Sequence, residues 1–444
     1  MVKMKKKILK VNKGQKIYLK AKKIIPGGNM LLSKNPDRFL PKGWPVYFKK
    51  AKGCEVWDLD GNKYFDLSLM GVGTNILGYS NNKVDEKIKK VIKEGNLSTL
   101  NCSEEVQLAE KLIEIHPWAG MVKFARTGGE ANAIAIRIAR AASGKDNVAF
   151  CGYHGWHDWY LATNVSKQDN LNNHLLKNLP TKGVPKKLAE SIFPFKFNDY
   201  NELEKIVLEK NIGVICMEVV RNEMPKNSFL KKVRKLADKK GIVLIFDECT
   251  SGFRKNYGGL HKFFKVNPDI ALFGKALGNG YAITAIVGKK NIMKSAKNSF
   301  ISSTFWSERI GPVAALATLK EMSRVKSWKT IDLIGKKIVK KWGELSNKYE
   351  LDIKISGLPA LCSFNFSSRN NLDYKTLIAQ EMLKKGFLAS STVYASIAHN
   401  KSILENYFYE LEQVFKLIQK CEDGLNVKKV LKYPTIISGF QRLN

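Results

Sequence analysis

The chain has 444 residues and a formal net charge of +35 at pH 7, from 75 lysines and arginines against 40 acidic residues. This length allows two or three compact units. No segment approaches the roughly 20 consecutive apolar residues that a membrane-spanning helix needs, so we expect no membrane partner. The positive charge could attract polyanions, but it is spread along the chain without a known nucleic-acid module, so we expect no nucleic-acid partner.

The N-terminus and the cysteines indicate where the protein works. The opening MVKMKKKILKVNKGQK is basic, and its apolar residues never form the continuous core of a secretory signal. The seven cysteines are odd in number and contain no C-x-x-C pair. This pattern fits a reducing compartment, and we expect a cytoplasmic protein.

The first predicted element is a β-hairpin. Glu55–Leu59 and Lys63–Leu67 mix apolar and polar residues on either side of Asp60-Gly61, a dipeptide typical of hairpin turns. We expect the N-terminal segment, residues 1–75, to contribute this hairpin to a small domain.

A large domain is predicted next, over residues 76–315. Short apolar runs alternate there with helical segments, which favours an α/β fold with a mostly parallel sheet. The runs are Val148–Cys151, Val214–Met217, Ile242–Phe246 and Ile270–Phe273. Residues 316–444 are predicted to form a smaller α+β domain. Its elements are helical stretches at Ala314–Arg324, Ile331–Leu345 and Ile403–Cys421, with a strand at Leu361–Phe366.

Paired glycines precede the first clear helix of the large domain. Thr127-Gly128-Gly129-Glu130 leads into a segment whose apolar residues fall on one helical face. Free backbone N–H groups and the helix dipole make such a start a site for a phosphate, and glycine lets the anion approach closely. A simple tight turn is the alternative.

Two charged residues follow apolar strands. Asp247 comes at the end of the run Ile242–Phe246, at the edge where open α/β sheets bind ligands. A buried carboxylate there needs a cationic partner, which a protonated pyridine nitrogen could supply. A helix N-cap and a metal ligand are the alternatives.

Lys275 follows Ile270–Phe273 between apolar residues and glycines. Desolvation can neutralise its amine for attack on an aldehyde, and a solvated loop lysine is the alternative. Lys275 comes too early for a G-x-x-x-x-G-K-[ST] phosphate loop.

The segment Gly152–Trp159 combines aromatic rings with two histidines after a strand. His154, His157 and Asp158 could bind zinc, although no further Cys or His cluster with ligand spacing exists. The ring of Tyr153 suits stacking on a flat cofactor better. We therefore expect no metal.

Taken together, these motifs resemble the class III aminotransferases of fold type I, and most closely the glutamate-1-semialdehyde aminomutase branch. The resemblance covers most of the chain. It is carried by IPGG, DLDGNKYFDL, TGGEANAIAIRIAR, GYHG, FDECTSGFR, PDIALFGKALGNG, STFWSERIGP and SIAH. It implies a pyridoxal 5'-phosphate enzyme with a large domain carrying the cofactor and a smaller domain built from both ends of the chain.

The resemblance also implies roles for individual residues. Lys275 would be the Schiff-base lysine, Asp247 the partner of the pyridine nitrogen and Tyr153 the ring stacked on the cofactor. Gly128 and Gly129 would cradle the phosphate. Glu218, in Met217-Glu218-Val219, matches an acid near the 3-hydroxyl edge of the cofactor. Thr304 looks like the threonine that reaches the phosphate from the neighbouring subunit, which implies a homodimer.

Two departures from the aminomutases bear on the reaction. Aminomutases have Ser-Gly-Thr where this chain has Thr127-Gly128-Gly129, so one hydroxyl is missing. The segment Gly386–His399 is also shorter and contains no carboxylate, whereas the family carries a glutamate there. Our leading hypothesis is therefore an aminotransferase that uses an amino donor and a keto or aldehyde acceptor. The alternatives are an intramolecular aminomutase and, because of the charge, a basic non-catalytic binding protein.

Overall fold

The computed structural model describes residues 12–167, 170–172, 174, 179–220 and 222–438. Most of the basic N-terminal segment, residues 1–11, lies outside this range. The strands are β1 Phe48–Lys52, β2 Glu55–Asp58, β3 Lys63–Leu67, β4 Met121–Ala125, β5 Asn147–Cys151, β6 Ile192–Pro194, β7 Ile212–Glu218, β8 Val243–Asp247, β9 Ile270–Phe273, β10 Thr284–Gly288, β11 Ile353–Ser356, β12 Leu361–Phe366, β13 Phe387–Ala389 and β14 Thr392–Tyr394.

The helices surround three sheets. They are α1 Lys13–Ile24, α2 Met70–Gly73, α3 Asn82–Glu94, α4 Ser103–Ile115, α5 Gly128–Ser143, α6 Asp158–Leu161, α7 Thr163–Ser166, α8 Tyr200–Glu209, α9 Phe229–Lys240, α10 His261–Phe264, α11 Lys290–Met293, α12 Ile310–Val325, α13 Ser327–Lys348, α14 Asn371–Lys384, α15 Lys401–Glu422 and α16 Val427–Val430. None of the helices in the described residues is long and apolar enough to cross a membrane.

The central sheet has seven strands in the order β4-β10-β9-β8-β7-β5-β6. The pairs from β9 through β8, β7 and β5 to β6 are parallel, and β10 pairs antiparallel with β4 and β9. Every residue of β7 and β8 is buried, as expected of strands covered on both faces. The predicted α/β architecture with a mostly parallel sheet is confirmed.

Both ends of the chain meet in a second sheet, of order β1-β2-β3-β13. The predicted hairpin is confirmed, since β2 and β3 pair antiparallel. The late strand β13 then pairs parallel with β3, with Phe387 opposite Phe65. A third sheet, β11-β12-β14, is antiparallel. The division into segments 1–75, 76–315 and 316–444 stays a prediction.

The parallel strands bring three predicted site residues to one edge of the central sheet. Glu218 ends β7 and lies opposite Asp247, which ends β8. Lys275 follows two residues after β9, whose Leu272 pairs with Asp247. Because this is the carboxyl edge of the parallel strands, it is the edge at which such sheets bind ligands.

Candidate active site

Asp247 is a buried acid at this edge, with 5% of its surface exposed. Its Oδ2 accepts hydrogen bonds from Asn132 Nδ2 at 2.8 Å and from His154 Nδ1 at 2.9 Å, and its Oδ1 accepts one from the Cys249 amide at 3.0 Å. Burial alone would raise the pKa of Asp247, but these bonds and the charge of His154 outweigh it and lower the pKa. Asp247 is therefore ionised at neutral pH.

His154 is the cation that compensates Asp247. Its Nδ1 faces the carboxylate, and its Nε2 lies 3.1 Å from the carbonyl oxygen of Cys151. Both neighbours are acceptors, so both ring nitrogens donate, which requires the imidazolium form. Burial lowers the pKa of His154, but Cys216 and the Asp247 carboxylate hold it well above its ordinary value.

Lys275 lies two residues after β9 in a left-handed backbone conformation, with φ of 39°. Such a conformation is uncommon for a residue with a Cβ and is found preferentially at functional sites. Its Nζ donates a hydrogen bond of 2.5 Å to Thr250 Oγ1. Thr250, three residues beyond Asp247, therefore fixes the direction of the amine.

The start of α5 supplies free backbone donors. Thr127 caps the helix in a reciprocal capping box with Glu130. The bonds of this box and its neighbours use the amides of Arg126, Thr127 and Glu130. Within the described part of the chain, the amides of Gly128 and Gly129 have no acceptor. This 16-residue helix therefore presents two N–H groups and its positive dipole end to an anion.

Cys249 lies between the acid, the glycines and the lysine. A Cβ atom on Gly128 would come 3.6 Å from its Sγ, and one on Gly274 would come 3.5 Å from the same atom. Its amide donates to Asp247. Asp247, Gly128 and the residue before Lys275 are thus grouped around one side chain.

Glu218 lies next to the segment that carries Tyr153. Its Oε2 accepts a hydrogen bond from the Tyr153 amide at 3.0 Å. A Cβ atom on Gly152 would come 2.6 Å from the same oxygen, and Gly152 has φ of 115°. Only glycine therefore fits at position 152 without moving the carboxylate.

Tyr153 and Thr304 are less closely joined to the rest. The ring of Tyr153 packs edge-on against Tyr160 at a centroid distance of 5.9 Å. Thr304 is exposed, but Trp306 two residues later donates from Nε1 to Glu130 Oε1 at 3.3 Å. The segment that carries Thr304 is thus attached to the start of α5 in the same chain.

The zinc hypothesis for His154, His157 and Asp158 is not supported by the geometry. Both nitrogens of His154 already face protein acceptors. The described residues contain no group of three or more His, Cys, Asp or Glu side chains arranged to hold a metal.

Sequence reasoning missed three residues of the site. Asn132 donates to Asp247 across 115 positions, Thr250 orients Lys275, and Cys249 lies between the two glycines. Asn132 carried a usable signal, because it is a polar residue on the otherwise apolar face of α5. Thr250 and Cys249 follow the predicted acid directly, but their direction is set only in three dimensions.

Comparison with known sequences identifies a family and several relatives. The family described as aminotransferase class-III matches residues 41–422. A 3-aminobutyryl-CoA aminotransferase of Cloacimonas acidaminovorans is 34% identical over 380 residues, which cover 83% of this chain and 87% of that protein. A glutamate-1-semialdehyde 2,1-aminomutase of Methanocaldococcus jannaschii is 29% identical over 433 residues, covering 92% of this chain and 99% of that protein.

Solved structures share the fold. The PLP internal aldimine form of the Sphingopyxis sp. MTA144 FumI protein superposes with a TM-score of 0.84 at 22% identity, covering 94% of this chain and 99% of that one. An omega-transaminase from Sphaerobacter thermophilus superposes with a TM-score of 0.79 at 20% identity, covering 91% and 97%. The expected fold type I architecture is confirmed.

Proposed function

The chain belongs to the class III aminotransferase family, and from this premise we propose that it moves an amino group from a small-molecule donor to a keto or aldehyde acceptor, with Lys275 holding pyridoxal 5'-phosphate. The family is one of pyridoxal-phosphate enzymes, so the chain is an enzyme and not a basic binding protein. The observation that carries the residue assignment is the grouping of Asp247, Gly128 and the Lys275 segment around Cys249.

The residues present fit this cofactor. A carboxylate has about four acceptor positions, and N–H donors fill three on Asp247. The fourth is contacted only by the Cys249 thiol, a weak donor, so a protonated ring nitrogen could take it. The amides of Gly128 and Gly129 would bind the phosphate. Glu218 would lie near the 3-hydroxyl edge, and the ring of Tyr153 would stack on the cofactor.

When bound, the cofactor supplies an electron sink that stabilises negative charge on the carbon beside the transferred nitrogen. Asp247 stays deprotonated because His154, Asn132 and the Cys249 amide stabilise its carboxylate. The carboxylate can therefore hold a proton on the ring nitrogen. Lys275 Nζ would take a proton from the substrate carbon and return it. Thr250 Oγ1 would hold that amine in position between the two transfers.

A homodimer and a cytoplasmic location complete the proposal. Thr304 is exposed in the segment that Trp306 joins to the start of α5, which supports the proposal that it reaches a neighbouring subunit. All seven cysteines are free thiols, which fits a reducing compartment.

An intramolecular aminomutase is the second proposal, motivated by the relative from Methanocaldococcus jannaschii. The lack of a carboxylate in Gly386–His399 favours the aminotransferase.

The test combines absorbance spectroscopy with a lysine variant. Wild type should show a visible cofactor band that borohydride locks covalently onto the protein, and Lys275→Ala should lack it. Lys239→Ala, an exposed lysine on α9, is the matched control and should behave as wild type. A panel of amino donors should then convert the bound cofactor to its amine form. If no donor does so, while glutamate 1-semialdehyde turns over, the aminomutase replaces the aminotransferase.

A further inference from the structure

A basic groove lies at the carboxyl edge of the central sheet, beyond β6 and β7. It encloses about 400 Å³ and is lined by Lys196, Phe197, Asn198, Asp199, Tyr200, Asn201, Lys226, Asn227, Phe229 and Lys232. We call this set the basic groove. It lies at the edge where Glu218, Asp247 and the Lys275 segment also lie, which is the ligand-binding edge of such a sheet.

Three carboxylates border the three lysines of the basic groove, and each of them already accepts a hydrogen bond. Asp199 caps α8 by accepting the Glu202 amide, Glu202 accepts the Lys196 backbone amide at 2.7 Å, and Glu223 forms an exposed ion pair with Lys226 at 3.0 Å. Within the described residues, the side-chain ammonium groups of Lys196 and Lys232 have no ion-pair partner. A multiply charged anion would therefore find two unpaired ammonium groups and a third in an exposed pair.

The helix that enters the groove adds to this field. α9 begins at Phe229, and its N-cap Ser228 makes no side-chain capping bond. Its first turn contains no acid and two lysines, Lys231 and Lys232, which is the unfavourable arrangement for the helix dipole. The amides of Phe229 and Lys232 already donate to the carbonyl oxygens of Lys226 and Ser228, so an anion in the groove would act on the helix dipole and the lysines.

The groove also offers flat apolar surfaces and a route to the active site. Lys232 Nζ lies 5.7 Å from the centroid of the Tyr200 ring, and Phe197 lies on the same wall. Lys196 and Phe197 line a second cavity as well, together with Gly152 and Glu218. A ligand bound at the lysines could therefore extend past Phe197 towards the residues next to Tyr153.

We propose that the basic groove binds the phosphate groups of the substrate, and that the substrate is a phosphate-bearing carrier whose amino or carbonyl end reaches the active site. The shared chemistry is a diphosphate next to a ring that can lie against Phe197 or Tyr200. A coenzyme A thioester and a nucleotide-linked sugar both have it. Naming the ligand a substrate rests on the proposed function, whereas the binding of phosphate groups does not.

The test measures binding of inorganic pyrophosphate, coenzyme A and uridine diphosphate by calorimetry at about 150 mM salt, where long-range surface attraction is screened. The groove variant carries K196A, K226A and K232A. The matched control carries K329A, K337A and K340A on α13, where all three side chains are exposed, and it loses the same charge. Circular dichroism and the Tm without ligand check that both variants fold.

We expect wild type and the control to bind at least one of the three probes with affinities within about twofold of each other. The groove variant should bind about tenfold more weakly, because it loses three ammonium groups that the control keeps. Tighter binding of coenzyme A than of pyrophosphate would indicate a thioester carrier, and tighter binding of uridine diphosphate a nucleotide-linked sugar. No binding by wild type, or equal weakening in the control, would overturn the proposal.

The same titration in Lys275→Ala separates this inference from the proposed function. Removing the lysine should leave probe binding unchanged, because the groove does not contain it. If wild type holds no cofactor but the groove variant still loses probe binding, the anion site stands and only its description as a substrate site fails.

Discussion

Asp247 and Glu248 are adjacent in the sequence, both are buried, and each contacts a histidine, yet they belong to two different regions. Asp247 Oδ2 lies 2.9 Å from His154 Nδ1 at the cofactor edge. Glu248 Oε1 lies 2.5 Å from His261 Nδ1, at the start of α10. The two carboxylates point to opposite sides of the chain because successive residues of an extended strand alternate.

The partners of the two histidines differ. His154 Nε2 faces a carbonyl oxygen, so both of its nitrogens carry protons. His261 Nε2 lies 3.0 Å from Trp118 Nε1, which can only donate. His261 is therefore neutral, with its proton on Nδ1, and Glu248 has a polar but uncharged partner.

The two acids also differ in the acceptor positions that remain. Glu248 accepts from the amides of Leu260 and His261, from His261 Nδ1 and from Ser251 Oγ. These four donors fill the capacity of a carboxylate. Asp247 accepts three N–H donors and keeps one position that only the Cys249 thiol, a weak donor, contacts. A saturated acid holds a loop in place, whereas an acid with one remaining position can bind a ligand.

The largest expected effect comes from Asp247→Asn. The amide cannot keep a proton on a bound ring nitrogen, and losing a preorganised charge of this kind costs about 100- to 1000-fold in rate. We expect kcat of the amino-group transfer to fall by that factor while the Tm changes little. Kinetics and thermal unfolding of the same preparation check this. Activity within tenfold of wild type would show that Asp247 has a structural role like that of Glu248.

Glu248→Gln should have the opposite profile. The glutamine amide would meet donors that the carboxylate accepts, and a buried donor without an acceptor costs about 1–3 kcal/mol. We expect a lower Tm with the visible cofactor band and kcat retained. A loss of activity as large as that of Asp247→Asn, at an unchanged Tm, would mean that the two acids share one site.

These two acids also show how far the sequence predicts the site. The run Ile242–Phe246 predicts a buried strand with an acid at its carboxyl edge, and the structure has β8 there, ending in Asp247. The sequence does not establish the direction of the next acid, Glu248, which lies just beyond β8. It cannot predict which side holds the ligand, because that depends on Asn132 of α5, 115 positions earlier.

Other residues could not be predicted from the sequence, because their roles also depend on contacts that form only in three dimensions. The sequence leaves zinc binding by His154 as an alternative, because it shows two nearby histidines but not the carbonyl and carboxylate that the nitrogens of His154 face. The basic groove joins segments 196–201 and 226–232, about 25 positions apart. The role of Thr304 depends on a second subunit, and it stays a prediction.

The two regions should also respond to pH with opposite sign. The raised pKa of His154 means that its contribution to stability is fully present below about pH 6.5 and is lost as pH rises through the folded pKa. In wild type this loss approaches about 1.4 kcal/mol per pH unit. We expect the Tm of wild type to fall from pH 6.5 to 8.5, and that of His154→Gln to fall less. If the Tm of wild type and that of His154→Gln change equally with pH, His154 is neutral.

In the region around Glu248, stability should instead fall as the pH is lowered. His116 accepts the Gly259 amide on Nε2, and burial lowers its pKa to about 3. His116 therefore binds a proton near pH 6.5 in the unfolded chain but not in the folded chain. Stability falls as the pH is lowered from 6.5 towards 3. When the pH is lowered from 6.5 to 5, we expect the free energy of unfolding of wild type to fall by about 1.5 kcal/mol more than that of His116→Gln. Urea unfolding at the two pH values measures the difference.

The smallest expected effect tests what keeps His261 neutral. Trp118→Phe removes the indole N–H that His261 Nε2 accepts, and the loss of one buried hydrogen bond costs about 1 kcal/mol. We expect a small decrease in Tm and unchanged kcat, with Trp57→Phe on β2 as the matched control. Nitrogen NMR of the ring should then show whether Nε2 gains a proton. If it does, the His261–Glu248 pair becomes charged like His154–Asp247, and the indole is what distinguishes the two regions.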